Sequence, residues 1–161
     1  MRHGKAEPGG ETDHDRELAQ QGWDDAVAAG RWLADSGFVP DAVLVSSSRR
    51  TASTWLALAE GGSFEIDATY SQGLYTAGPE TALDLVRETD DAVTALLVIG
   101  HNPTMAYLAQ LLDDGTGNEE AGRQMATGFP TGALARFAVT GPWVELDLAS
   151  ARLVGFHVGR S

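Results

Sequence analysis

The run Thr94 to Ile99 (Thr-Ala-Leu-Leu-Val-Ile) constrains the fold more than any other stretch of this chain. It is a continuous apolar segment of strand length, and it leaves no polar face for water. Such a run reads as a strand buried on both faces, the signature of a parallel sheet covered by helices on each side. Ala42 to Val45 is a second short apolar run of strand length.

Helical patterns alternate with these runs. Leu18, Trp23, Ala26, Val27, Gly30 and Leu33 recur at near-helical spacing between Arg16 and Ser36, with Gly37 as a stop. A second helix is expected from Arg50 to Glu60, broken by Gly61-Gly62, with a short strand at Phe64 to Ile66. Pro79 opens a third, running to Thr89, because proline's missing N–H costs least in a first turn. Asn102-Pro103 opens a fourth that ends near Leu112, with Asn102 as N-cap. The segments 5–15, 71–78 and 113–128 read as loops. Ala133 to Val139, Trp143 to Leu148 and Leu153 to Val158 read as three closing strands. The order predicts an α/β fold: a mainly parallel central sheet flanked by helices on both faces, with a strand-rich C-terminal part.

At 161 residues, one domain spanning residues 1–161 is expected. The net charge of −12 argues against a nucleic-acid partner, which needs a basic surface. No apolar run has bilayer-spanning length and no signal-peptide pattern opens the chain, so no membrane partner is expected. Cysteine is absent, which removes disulfides, thiolate catalysis and cysteine-type zinc sites and fits a cytoplasmic location. The oligomeric state is not readable from the sequence.

Three short motifs carry the chemistry: Arg2-His3-Gly4, Ser46-Ser47-Ser48-Arg49-Arg50 and Gly100-His101-Asn102-Pro103. The second and third directly follow apolar runs. Guanidinium forks match phosphate oxygens in a bidentate way, and a neutral imidazole is a competent nucleophile near pH 7, so histidines and arginines gathered at strand ends make a phosphate site. Asp13-His14-Asp15 invites a metal reading, but consecutive side chains point in different directions and no partner motif accompanies them, so no metal is expected. His157, Trp23, Trp32, Trp55 and Trp143 read as packing residues.

Taken in order, these motifs resemble the histidine phosphatase (phosphoglycerate mutase-like) superfamily, and more narrowly the short SixA-type phosphohistidine phosphatases. Asp15-Arg16-Glu17-Leu18 with Gly22, Leu74-Tyr75 and Phe129-Pro130-Thr131-Gly132-Ala133 extend the resemblance over nearly the whole chain. It implies a cofactor-free phosphatase in which His3 is the nucleophile, Arg2 and Arg50 clamp phosphate, and His101 is a cationic donor to the phosphoryl group. The pattern Ser-x-x-x-Arg counts from Ser46 to Arg50 and leaves Arg49 facing solvent. Gly4, Ser46, Asn102 and Thr131 are expected to bind substrate, and Asp15 and Arg16 to anchor the loop and first helix.

The chain departs from the family in two places. Arg-His-Gly ordinarily follows a buried strand, yet only Met1 precedes Arg2, so the domain is expected to lack residues of its first strand. The segment Tyr70 to Gly78, where mutase and phosphomonoesterase relatives carry a proton-donating carboxylate, has none. A phosphoester's alkoxide needs that proton, worth typically ~10²–10⁴-fold, whereas a phosphohistidine releases imidazole, a better leaving group. The expected substrate is therefore a phosphohistidine on a phosphoprotein. The alternatives are a small-molecule phosphomonoesterase or mutase using Glu80 or Glu7 as acid, and a non-catalytic module that binds phosphate or a phosphoprotein.

Overall fold

The computed structural model describes residues 1–159. Three strands, β1 (Ala42–Ser46), β2 (Thr69–Ser71) and β3 (Leu96–Ile99), form a parallel sheet in the order β2-β1-β3. Leu44 pairs with Val98 and Val45 with Ile99 across the β1–β3 ladder. Side chains alternate across a strand, so each strand feeds two cores. Val43, Val45, Leu97 and Ile99 pack with α1 (Gln20–Asp35) and α2 (Arg49–Gly62). Leu44, Leu96 and Val98 face the opposite core, which is built from α3 (Gln72–Thr76), α4 (Pro79–Arg87), α5 (Thr104–Leu112) and α6 (Glu119–Thr127). Each fully buried side chain such as Leu33, Leu58 or Ile99 contributes about 1.5–3 kcal/mol of transfer free energy.

An antiparallel hairpin, β4 (Ala133–Val139) with β5 (Ala151–Val158), closes the chain, with a register shift at Arg136/Phe137. The segment Met1–His3 connects the two sheets. Arg2 bridges Gly100 in parallel, the His3 N–H donates to the Gly100 carbonyl at 3.0 Å, and the Arg2 N–H donates to the Ala133 carbonyl at 2.9 Å. The mainly parallel sheet, the helices on both of its faces and the C-terminal hairpin agree with the α/β expectation.

Several local expectations are corrected. Phe64 to Ile66 is not a strand; the edge strand lies later, at Thr69–Ser71, where it pairs with Leu44 to Ser46. Residues 72–76 and 119–127 are helices rather than loop, each capped by a side chain, Ser71 for the Leu74 N–H and Asn118 for the Ala121 N–H. Residues 143–145 form a 3₁₀ turn, not a strand, with the Trp143 indole N–H on the Val93 carbonyl. Asn102 is not the N-cap of α5; Pro103 holds that position, after a cis Asn102–Pro103 peptide. The run ending at Ile99 is fully covered only at alternate residues: Leu97 and Ile99 are buried, whereas Leu96 and Val98 are half-buried, and Leu96 to Val98 line a cavity.

The α1–α2 crossing is set by glycine. A Cβ on Gly30 would collide with the Leu58 carbonyl, and one on Gly61 with the Val27 carbonyl, so the two backbones meet without intervening side chains. Gly122 in α6 faces open space instead. Gly30→Ala is expected to lower unfolding free energy by about 1–3 kcal/mol through overpacking, and Gly122→Ala to raise it by up to about 1 kcal/mol. Urea denaturation midpoints of the two variants check both signs.

Candidate active site

Three segments deliver their side chains to the C-terminal edge of the parallel sheet, where α/β proteins place their ligands. β1 ends at Ser46, and Ser48 caps α2 by accepting the Thr51 N–H. That cap sets the helical phase: Arg50 turns inward and is 5% exposed, while Arg49 turns out to an ion pair with Glu17 at 2.8 Å. β3 passes through Gly100 to His101, and the Met1–His3 segment brings in His3. The His3 and His101 rings lie 5.2 Å apart.

The proton positions follow from the partners. His3 Nδ1 lies 2.6 Å from the Gly4 carbonyl, which can only accept, so Nδ1 carries the hydrogen. Nε2 is left as a lone pair, 3.4 Å from the Arg50 Nε–H. Arg50 Nη2 donates to His101 Nδ1 at 3.2 Å, so His101 holds its hydrogen on Nε2, directed at Ser46 Oγ 2.6 Å away. Burial pulls His3 down to about 4, against the Gly4 hydrogen bond and helped by Arg50 and Arg2. Burial, with His3 and Arg50 beside it, pulls His101 to about 3. Both rings are neutral at pH 7. The expectation of a cationic His101 concerns the phosphoryl-bound pocket; in the free pocket a second positive charge beside Arg50 and Arg2 is disfavoured.

Three residues to which the sequence analysis gave no role in the phosphate site, Asp13, His14 and Tyr75, join this group. Asp13 takes Arg50 Nη1 on its carbonyl at 2.6 Å and Nη2 on Oδ2 at 3.0 Å, and Tyr75 OH donates to the same Oδ2 at 2.7 Å. Hydrogen bonds from Tyr75 and Arg50 hold the Asp13 carboxyl at about 2, so it is ionised. His14 packs edge-on against Tyr75, and its Nε2 lies 3.1 Å from Ser47 Oγ. Asp13 and His14 thus both contact Tyr75, Asp13 at the hydroxyl and His14 at the ring. Asp13 and Tyr75 are 62 positions apart, and no spacing rule signals their meeting.

The remaining expected residues are placed as follows. Arg2 Nη1 donates to the Phe129 carbonyl at 3.1 Å, and Arg2's charge lowers both histidines. Ser46 is fully buried behind His101 and touches the ring rather than the open pocket. The Gly4 N–H is engaged by Thr54 Oγ1 at 3.0 Å, and a Cβ there would strike the Gly22 carbonyl. Asn102 Nδ2 donates to the Phe129 carbonyl at 2.8 Å. Thr131 is half-buried in the turn whose Gly132 N–H donates to the His3 carbonyl at 2.9 Å. Glu80 lines a separate hollow with Tyr107 and Leu111, and the Glu7 backbone pairs with Glu17. Arg16 ties the first loop together through the Glu7 carbonyl and Asp13.

The neutral histidines make stability depend on pH. Their folded values lie below the ordinary 6.5, so between about 6.5 and about 4 the unfolded chain binds more protons than the folded one. The contribution of the two histidines is full above that window and is lost as pH drops through it, for His101 down to about 3. The buried Met1 amino group, pulled from 8.0 to about 5, adds a loss that begins at higher pH, and Asp13 adds one only below its ordinary 3.8. Thermal midpoints recorded from pH 7 to pH 4 should fall steadily, with a shallower slope for His101→Asn.

Comparison with known proteins gives this arrangement a family. The description of the histidine phosphatase superfamily (branch 1) matches residues 1–74. An uncharacterized protein of Mycobacterium tuberculosis is 41% identical over 162 residues, covering 99% of this chain and 100% of the relative. A structure from Nakamurella multipartitia, provisionally named phosphohistidine phosphatase SixA, superposes with a TM-score of 0.86 at 29% identity, covering 100% of this chain and 94% of that one. A protein from Agrobacterium tumefaciens with the same provisional name gives 0.80 at 29% identity, covering 98% of this chain and 94% of that one. The chain belongs to the histidine phosphatase superfamily, is similar to its SixA-type members, and is a phosphatase.

Proposed function

We propose that this phosphatase removes the phosphoryl group from phosphohistidine on a protein, through a phosphohistidine intermediate on His3. The observation that carries the reading is the protonation of the pocket. Nε2 of His3 carries a lone pair that accepts only a long 3.4 Å hydrogen bond from Arg50 Nε, while Asp13, the one carboxylate among the described residues in hydrogen-bond contact with Arg50, is kept ionised and has no proton to give. A site built this way suits a leaving group that departs without a strong acid, as imidazole does and an alkoxide does not.

The phosphoryl group would lie between Arg50, Arg2 and His101, with three anionic oxygens facing them. Lone-pair attack by His3 Nε2 forms the new P–N bond in line with the substrate P–N bond. As that bond breaks, its electron pair returns to the substrate imidazole, which takes a proton from solvent. Water then attacks phosphorus, the P–Nε2 bond breaks and inorganic phosphate leaves. Arg50 and Arg2 neutralise the equatorial oxygens throughout, so their work is positioning and electrostatics. The incoming dianion also reverses the balance at His101, since a negative neighbour favours its protonated, donating form. The resemblance to SixA-type proteins supports the same substrate class.

A phosphohistidine peptide and glycerol 3-phosphate, an alkyl ester whose alkoxide needs a proton to leave, each presented to wild type and to His3→Ala, test this. Fast release from the peptide that disappears in His3→Ala, with slow ester cleavage, is the expected result; equal or faster ester cleavage would move the assignment to a general phosphomonoesterase. Binding of either compound without turnover would make the chain a phosphate-binding module. Asp13→Asn separates acid catalysis from positioning. On the phosphohistidine peptide its kcat should fall by less than the ~10²–10⁴-fold that removal of an essential acid costs.

A further inference from the structure

A row of ring contacts leads from the phosphoryl site out to solvent. The His3 ring meets His101 at 5.2 Å, His101 meets Tyr75 edge-on at 5.5 Å, and Tyr75 meets His14 edge-on at 4.9 Å. Exposure rises along the row: His3 is 8% exposed, His101 and Tyr75 are half-buried, and the His14 side chain is 40% exposed. We propose that His14 is the proton donor to the departing imidazole, which rests on the assignment of phosphohistidine as substrate.

Depth carries the argument. A phosphohistidine enters from solvent with its phosphoryl group foremost, so phosphorus stops at His3 and the substrate ring trails behind it. In-line attack puts the breaking P–N bond on the side of phosphorus away from His3. The leaving ring therefore lies toward the exposed end of the row, where Tyr75 and His14 form the rim. Among the groups that touch Tyr75, Asp13 is ionised and holds the Tyr75 hydroxyl, and His101 is neutral with its hydrogen on Ser46. His14 is the one left to carry a proton.

Its ring is held for the task. Ser47 Oγ donates to Gln72 Oε1 at 2.7 Å, so toward His14 it only accepts, and His14 Nε2 carries a hydrogen 3.1 Å from it. The Arg49 N–H donates to the His14 carbonyl at 3.0 Å and pins the loop to the start of α2. Nδ1 has no hydrogen-bond partner among the described residues, and Asp15 Oδ1 lies 3.9 Å from it. In protonated His14, Nδ1 holds the transferable proton.

As His3 Nε2 bonds to phosphorus, that proton passes to the substrate ring nitrogen that bears no phosphoryl group. The electron pair of the breaking P–N bond stays with the ring, which leaves as neutral imidazole rather than as an anion. His14 then takes a proton from solvent, and so relays the solvent proton that the reaction consumes. Donor and acceptor are both imidazoles, so proton transfer between them needs no stronger acid.

Two substrates separate this role from packing: the phosphohistidine peptide, and a phosphoimidazole methylated on its second ring nitrogen. The fixed positive charge of the second stands in for the proton. Single-turnover release of the leaving group is measured for wild type, His14→Gln and His14→Asn, with thermal unfolding to show that each variant is folded. The expected loss is ~10²-fold greater on the peptide than on the methylated compound. A peptide loss no greater than the loss on the methylated compound, in either folded variant, would overturn the proposal. A wild type that releases nothing from the peptide would overturn the substrate assignment and this proposal with it. Wild-type release that persists in the variants would sink the role of His14 alone.

Discussion

The placement of His3 depends on a few backbone hydrogen bonds around it. Its N–H is fixed by Gly100, its carbonyl by Gly132, and the residue before it by Ala133. These bonds tie the end of β3, the turn before β4 and the nucleophile's own backbone into one junction. The ring is then oriented by the Gly4 carbonyl, and Gly4 in turn by Thr54, whose hydroxyl donates to the Arg50 carbonyl. The imidazole and the guanidinium it faces are thus connected through Thr54 as well as across the pocket. This explains why a two-residue neighbourhood of glycines matters: side chains on Gly4 or Gly22 would force the His3 strand away from the first helix.

Electrostatics in the pocket run against the charge of the whole molecule. The chain carries −12 overall, yet Arg2, Arg50 and two imidazoles converge at one edge of the sheet. Screening confines the acidic surface to about 8–10 Å at physiological salt, so nearby groups set the sign of the field at phosphorus. Without an anion, burial keeps both histidines neutral and Asp13 occupies part of the Arg50 fork. The pocket therefore holds a carboxylate where a phosphoryl oxygen would compete, and Tyr75 holds that carboxylate in place.

Much of this was legible before the fold. Uninterrupted apolar runs at Ala42 and Thr94 predicted parallel strands because a strand covered on both faces cannot afford polar residues. The resemblance's Ser-x-x-x-Arg pattern, counted from Ser46, implied Arg50 rather than Arg49, and the helix bears this out, since one residue's rotation exchanges inside for outside. Short helices at 72–76 and 119–127 were missed because a single turn or two rests on a capping serine or asparagine rather than on an apolar period. The Asn102 cap failed for the opposite reason: its side chain found the Phe129 carbonyl, a partner remote in sequence.

The sequence by itself determined the fold class and the three motifs, because these depend on local periodicity and on residue chemistry, and the family resemblance those motifs carry implied which arginine turns inward. Tertiary structure alone decided the protonation of His3 and His101, since burial and the neighbouring cations fix it. It also decided that Asp13 and Tyr75 belong to the pocket, that Ser46 stands behind His101, and that β3 and β4 leave a gap between them. Each of these depends on distances between segments far apart in the chain, and the period of a strand or helix carries no information about them.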